Sequence, residues 1–327
     1  ALRNALSRNT IHHAYLFTGT RGVGKTTLAR ILAKCINCET GVTDTPCLAC
    51  SNCLDIEAGK CMDMHEIDAA SRTKVEDTRD LLDKIHYSPS KARKSVYIID
   101  EVHMLSGHSF NALLKTLEEP PEHVQFVLAT TDPQKIPPTI LSRCLQFQLQ
   151  LIPEDKIAAH MQTILHQQGI PYDETALQLL AKAAEGSMRD GLSVLDQCLA
   201  YSHKRLTTEH VQQMLGVVDQ RVLQQIIETI LANQADRLLQ VAQAIQQHGD
   251  NVRGVLDNLL EYLHQCAKEQ ALYHTVKRHP QLTAEDIQLF YDITLRGIED
   301  LGLTPQAYLG FEMTLLRLLA FRPIDAT

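Results

Sequence analysis

The chain has 327 residues, 44% of them hydrophobic and 21% charged, a globular composition that excludes a disordered polypeptide and is long enough for two or three domains, each with its own core. A formal net charge of −8 excludes a global electrostatic footprint for nucleic acid, so any DNA contact must come from a local patch. No apolar run approaches the roughly 18 residues a membrane span needs, and the polar start Ala1–Thr10 does not form a signal peptide. A cytoplasmic protein with no membrane partner is the expectation.

Tryptophan is absent and aromatic residues are only 5%, while Leu, Ile, Ala and Gln crowd the second half. That balance predicts an α/β front and an all-α back. The chain opens inside a helical pattern (Leu2, Ala5, Leu6) without an initiator Met, so a preceding segment is expected to have been trimmed. Ala14–Thr18 reads as a buried strand, followed by a glycine-rich turn and a helix with Leu28, Ile31, Leu32 and Cys35 on one face. Further strands are predicted at Met64–Asp68, Val96–Asp100 and Gln125–Thr130. Helices are predicted over Val75–Ile85 and Ser109–Glu119, the latter stopped by Pro120-Pro121. Alternating strands and helices imply a parallel, doubly wound sheet with helices on both faces.

After Gln150 the strand signals stop. Amphipathic helices are predicted at Ile157–Gln168, Glu174–Glu185 and Ser187–Tyr201, and the region from about Val217 is wholly helical. Its stripes Leu223, Ile226, Ile227, Ile230 and Leu256, Leu259, Leu260, Leu263 follow the spacing of packing faces. The predicted division is therefore 1–152 for the α/β domain, 153–216 for a small helical domain and 217–327 for a second helical domain.

Gly19-Thr20-Arg21-Gly22-Val23-Gly24-Lys25-Thr26 fits G-x-x-x-x-G-K-[ST] between a strand and a helix, as a phosphate-binding loop requires. Glycines let backbone N–H groups curl around phosphates, Lys25 neutralises phosphate oxygens, and the Thr26 hydroxyl can ligate Mg²⁺. Thr27, next along the helix, completes the expected ATP-binding set. The apolar strand Val96-Tyr97-Ile98-Ile99 ends in Asp100-Glu101 at the sheet edge where the phosphates would lie. Asp100 is expected to hold Mg²⁺ and Glu101 to polarise the attacking water. Asp100-Glu101-Val102-His103 also matches the D-E-x-H of helicase motors, but a helical chain after Gln150 supplies no second α/β lobe, so the motif reads as ATPase and not helicase.

Six of the nine cysteines fall between Cys35 and Cys61. Cys38, Cys47, Cys50 and Cys53 form C-x8-C-x2-C-x2-C, spacing that suits four thiolates around one tetrahedral, structural Zn²⁺ in an insert at 38–53. Cys35 continues the core face of the preceding helix and Cys61 lies just ahead of a strand, so both are expected to pack and not to ligate. Reduced, unliganded cysteines in a surface excursion are the bland alternative.

At this point the residues resemble the gamma/tau family of bacterial AAA+ clamp-loader ATPases. The shared text comprises His12-His13-Ala14-Tyr15-Leu16-Phe17, the loop Gly19–Thr26, the four-cysteine insert, Ile67-Asp68-Ala69-Ala70-Ser71-Arg72-Thr73-Lys74-Val75-Glu76-Asp77-Thr78-Arg79, Asp100–Leu105 and Ala112–Glu122. The resemblance implies an AAA+ ATP-binding domain, a helical lid and a helical oligomerisation collar. It implies an ATPase that works with the clamp-loader delta and delta-prime subunits and further gamma/tau copies to open a sliding clamp and load it on primer–template DNA. Ser142-Arg143-Cys144 resembles the family motif whose arginine acts in trans on the neighbouring ATP site; without the resemblance Arg143 reads as a surface arginine. Thr130, with Thr131 as a possible substitute, is similar to the first sensor of the nucleotide. Arg189, in the first turn of a helix that Ser187 and Asp190 would cap, resembles the second sensor.

The family's segment ahead of the first strand, which helps close over adenine, is expected to be missing, as is the long tau extension after Phe321-Arg322-Pro323. Lys115, Arg72 and Lys74 are candidate DNA contacts no better than solvated charges. Two rivals stay open on the residues: another DNA-remodelling ATPase such as a branch-migration motor, and a nucleotide-binding scaffold without catalysis.

Overall fold

A computed structural model of the chain describes residues 2–71, 85, 87–201, 205–216, 220–248, 251–277 and 279–321. The helix expected over Val75–Ile85 and the candidates Arg72 and Lys74 fall outside them, apart from Ile85, which is buried. Two compact units form, residues 1–169 with 180–197 and residues 170–179 with 198–327.

In the first unit, after the short helix α1 (Leu2–Ser7), five parallel strands make one sheet in the order β2-β3-β4-β1-β5. They are β1 (Ala14–Thr18), β2 (Met64–Asp68), β3 (Ser95–Asp100), β4 (Val124–Thr130) and β5 (Leu145–Gln148). The first four lie where the sequence predicts them. β5 is an addition: Leu145-Gln146-Phe147-Gln148 alternates with the period of a strand, but as an edge strand beside β1 it stays largely exposed and has no continuous apolar run to mark it.

The central strands are buried on both faces, and strand alternation sorts their side chains into two layers. Tyr15, Phe17, Val96, Ile98 and Val127 pack against Ala29, Leu32, Ala33 and Ile36 of α2 (Lys25–Asn37). On the other face Leu16, Tyr97, Ile99, Phe126 and Leu128 meet Phe110, Leu113 and Leu117 of α4 (Gly107–Glu118). Each fully buried large side chain contributes about 1.5–3 kcal/mol. The core stripe of α2 is rotated from the sequence expectation: Leu32 and Cys35 are buried, whereas Ile31 is 44% exposed and Leu28 half-buried, because that flank faces a cavity beside the phosphate loop. Between α2 and β2 lies α3 (Ser51–Glu57), which begins within the cysteine segment.

Beyond the short helix α5 (Pro138–Leu141) the same unit holds α6 (Glu154–Gln168), the end of α7 (Glu174–Ala183) and most of α8 (Met188–Tyr201). Ser187 accepts the Asp190 N–H at 3.2 Å, half of the expected capping pair, while its own N–H goes to the Ala184 carbonyl.

The second unit is helical and includes α9 (Thr208–Leu215). α10 (Gln220–Leu231), α11 (Ala235–His248), α12 (Val252–Tyr273), α13 (Ala284–Asp300) and α14 (Ala307–Ala320) surround Ile226, Ile230, Leu256, Leu259, Leu263, Phe290, Phe311 and Leu315. The predicted stripes of 223–230 and 256–263 are packing faces, with Leu260 at the margin. α13 starts at a reciprocal capping box between Thr283 and Asp286. Among the described residues no helix is long and apolar enough to cross a membrane.

Candidate nucleotide site and cysteine cluster

The loop 19–24 joins the C-terminal end of β1 to the N-terminus of α2, the sheet edge where parallel α/β folds bind ligands. Gly24 caps α2 in the left-handed region (φ 91°, ψ 24°), which lets the chain turn directly into the helix. Gly22 is constrained from outside as well: a Cβ there would lie 1.9 Å from Ser187 Oγ, and its carbonyl accepts the Met188 N–H at 3.1 Å. The start of α8 is thereby docked on the phosphate loop, which brings Arg189 to the same cavity as Arg21, Thr26, Thr27, Asp100 and Glu101, about 540 Å³ in volume. A second cavity of about 630 Å³, also bounded by Arg21, Lys25 and Arg189, has the apolar wall Leu28, Ile31, Leu149, Ile152, Met188 and Leu192. Gly19, Thr20 and Val23 complete the loop, with Val23 anchored in the interior.

Lys25 is only 6% exposed, and its ammonium donates to the carbonyls of Gly19 (3.0 Å) and Thr20 (2.9 Å). Burial pushes it below the ordinary lysine value, with Glu101 and Asp100 acting in the opposite direction. Its hydrogen-bond partners are neutral carbonyls and the nearby carboxylates offset burial only in part, so the loop suits an anion. Thr26 Oγ1 donates to Asp100 Oδ2 at 2.5 Å, bringing together two oxygen ligands of the kind Mg²⁺ takes. Register pairs Asp100 with Asp68 on β2, whose carboxylate is held below the usual range first by the Ser71 hydroxyl and then by backbone N–H groups.

Glu101 sits in the left-handed region (φ 46°, ψ 46°), a conformation costing a non-glycine residue about 1–3 kcal/mol and found disproportionately at functional sites. Its Oε2 accepts the Thr131 N–H at 3.1 Å and the Thr131 hydroxyl at 2.8 Å, with His103 Nδ1 at 3.4 Å. Thr130 is fully buried, its hydroxyl engaged with His103 Nδ1 (2.8 Å) and the Asp132 N–H (3.0 Å). Of the two threonines, Thr131 is therefore the one that touches Glu101. Arg143 does not line either cavity of its own chain; it pairs with Glu118 at 2.8 Å and donates to the Thr139 carbonyl at 2.8 Å. Two residues the sequence did not mark, Arg30 and Glu66, form a bidentate pair (2.8 Å each) on the cavity wall; isolated charges on a helix and an edge strand carry no signal before the sheet is assembled.

The thiols of Cys38, Cys47, Cys50 and Cys53 all lie within 4.8 Å of one another, and every cysteine is free of disulfides. A tetrahedral Zn–S₄ centre with bonds of about 2.3 Å needs sulfurs about 3.8 Å apart, so the cluster fits zinc after slight contraction. The Cys47 N–H donates to Cys38 Sγ (3.4 Å) and the Cys50 N–H to Cys47 Sγ (3.3 Å), bonds that favour thiolates. Burial raises the Cys38 thiol, but hydrogen bonds from Cys47 and Thr40 outweigh it and bring it down to about 6. Cys53 is pushed up to about 12, first by burial and then by its bond to Cys50. A cation is what would allow all four to be thiolates together. Cys35 is buried in the core and Cys61 packs against it, outside the cluster.

Parallel sheet, phosphate loop and docked helical segment define the class: a P-loop nucleotide-binding module of AAA+ type. Residues 1–153 match the family model described as DNA polymerase III, delta subunit; 156–204 match the clamp loader subunit ATPase lid domain, and 206–326 match domain III of the gamma and tau subunits. The chain is 50% identical to DNA polymerase III subunit tau of Escherichia coli over 99% of its own length and 52% of that protein. It is 44% identical to subunit gamma of Buchnera aphidicola over 98% of its length and 92% of that protein. The chain belongs to the gamma/tau family of DNA polymerase III clamp-loader subunits. It spans about half the length of the tau relatives. A Thermotoga maritima RuvB Holliday junction branch migration motor is 19% identical with a TM-score of 0.48, covering 71% of this chain and 72% of that one, and carries no functional argument.

Proposed function

We propose that the chain is an ATPase subunit of the bacterial replicative clamp loader, acting in the cytoplasm as part of the DNA polymerase III holoenzyme. The observation that carries this is the convergence of a buried Lys25 with Thr26, Asp100, Glu101 and Arg189 on one cavity with an apolar wall, in a chain of this family.

In this reading the loop N–H groups and Lys25 bind the ATP phosphates, and the apolar wall from Leu28 to Leu192 takes the base. Thr26 and Asp100 would hold Mg²⁺, which when bound neutralises phosphate charge. Glu101 accepts the proton of the water that attacks the γ-phosphorus, once its carboxylate leaves Thr131. Arg189 ties the position of the helical segment to the phosphates through the contact between Ser187 and Gly22. Arg143 serves the site of a neighbouring subunit, where a guanidinium stabilises charge on the departing phosphoryl group. The cysteine cluster holds structural Zn²⁺, since four thiolates leave no open position.

The domains are 1–152 for ATP binding, 153–216 for the lid and 217–327 for the collar, the last joining delta, delta-prime and further gamma/tau copies. ATP binding then opens the sliding clamp, and hydrolysis triggered by primer–template DNA releases it. Measuring the ATPase rate as partner subunits, clamp and primed DNA are added in turn tests the proposal. The rate should rise at each addition; a rate indifferent to clamp and primed DNA, but raised by branched DNA, would replace this reading with that of another remodelling motor.

A further inference from the structure

The turn that carries Cys38 is held by side chains from outside the cysteine segment. Arg93 Nη1 donates to the Ile36 carbonyl at 2.5 Å, and both Nη1 and Nη2 donate to the Cys38 carbonyl at 3.2 Å. These carbonyls close the last turn of α2, where the helix leaves acceptors without internal partners and presents the negative end of its dipole. Asn37, 1% exposed, makes a reciprocal pair with the Lys94 main chain, donating to its carbonyl and accepting its N–H at 2.9 Å each. The Asn37 carbonyl accepts from the buried Asn52 side chain at 2.9 Å. On the approach to Arg93, Asp63 accepts the N–H groups of Ser90 (2.7 Å), Lys91 (2.9 Å) and Ala92 (2.7 Å), which sets the direction in which the chain enters β3.

We propose that Arg93 is a positioning residue for the metal: it clamps the main chain at Ile36 and Cys38, and so keeps the Cys38 thiolate in place for the site shared with Cys47, Cys50 and Cys53. The inference rests on reading the four thiols as a zinc site. A guanidinium suits the role because its rigid planar fork holds three N–H bonds to the two carbonyls in one fixed geometry, where a freely rotating ammonium fixes their direction less, and because a four-thiolate zinc centre is net anionic. Asn37 fastens the same turn to the start of β3. The cluster is local in sequence, yet one of its ligands depends on a contact made across the fold.

Zinc affinity of the wild-type chain, Arg93→Ala, Arg93→Lys and Lys60→Ala, measured by competition with a chromophoric chelator, tests the proposal together with the thiolate-to-metal charge-transfer band after cobalt(II) substitution. Loss of an outer partner of a metal ligand costs about 10–100-fold in affinity, and that is the loss expected for Arg93→Ala, with a weakened charge-transfer band as Cys38 drops out. Arg93→Lys should fall between the two, and Lys60→Ala, an exposed charge on the same segment, should bind as wild type does. Unchanged affinity and an unchanged band in Arg93→Ala would overturn the proposal, as would an equal loss in Lys60→Ala, which would mark a general charge effect. If Arg93→Ala does not fold, Arg93→Lys decides alone, and wild-type affinity there overturns it. Failure of the wild-type chain to bind zinc at all would instead remove the zinc reading on which the inference stands.

Discussion

α2 carries a polar cluster at each end, and the two are built differently. At its N-terminus the loop contributes Lys25 and Thr26, while Asp100 and Glu101 come from the end of β3, Thr131 from beyond β4 and Arg189 from α8. At its C-terminus the ligand atoms all come from Cys38, Cys47, Cys50 and Cys53, and only the bonds that steady them reach in from elsewhere. The first cluster keeps a buried cation bonded only to neutral carbonyls, a strained Glu101 and two cavities, one of them with an apolar wall. The second gathers four thiols within 4.8 Å of one another. One end gathers its polar groups from four separate segments around cavities, the other gathers four like groups from a single segment, and the proposed function assigns catalysis to the first and stability to the second.

The largest effect expected from this contrast is at Arg143. Arg143→Ala should lower hydrolysis in the assembled complex by about 10³-fold or more while leaving nucleotide binding by the isolated chain unchanged. Loss of binding in the isolated chain would mean that Arg143 serves its own site. Next comes Lys25→Ala, for which turnover assays should show a fall of about 10²–10³-fold. Zinc content by elemental analysis should stay the same, and loss of zinc in that variant would break the independence of the two ends.

Stripping the metal with a chelator probes the opposite end. It should lower the thermal midpoint by about 5 °C, equivalent to about 2 kcal/mol for a unit of this size, without abolishing nucleotide binding. The smallest effect concerns the support beneath the cysteine end. Burial works against the charged form of Asp63, but three backbone N–H groups outweigh it and hold the carboxylate below its usual value. A depressed acid contributes stability above its unfolded pKa of about 3.9 and loses it as pH falls through the folded value. Asp63→Asn, which keeps a neutral acceptor, should therefore cost about 1 kcal/mol near neutral pH, and progressively less in acid, in denaturant titrations run across pH. A cost independent of pH would show that the carboxylate charge is not what holds residues 90–92.

Much of both clusters is legible in the residues themselves. The glycine-rich loop announces itself because a backbone turn of the phosphate-binding kind needs glycine, lysine and threonine at fixed positions between strand and helix. The four cysteines are legible because Cys47, Cys50 and Cys53 follow one another at C-x2-C spacing and Cys38 stands nearby at the end of α2. The strand that ends in Asp100-Glu101 shows as an apolar run, and the stripes of 223–230 and 256–263 show as packing faces. β5 is harder to see, because an edge strand is not buried on both faces. The rotation of the α2 core face also escapes notice, since Leu28 and Ile31 look like core until the neighbouring cavity is seen.

What the sequence alone determined are features carried by near neighbours: the glycine-rich loop between strand and helix, the acids at the end of β3, the four clustered thiols and the two helical stripes. Only the tertiary structure decided which distant groups join them. Ser187 lies against Gly22, Thr131 and not Thr130 holds Glu101, Arg30 pairs with Glu66, and Arg93 grips the end of α2. The physical reason is that periodicity and motif spacing report contacts within a turn or two of the chain, whereas a side chain that crosses the sheet is placed by packing, and packing is a property of the assembled layers.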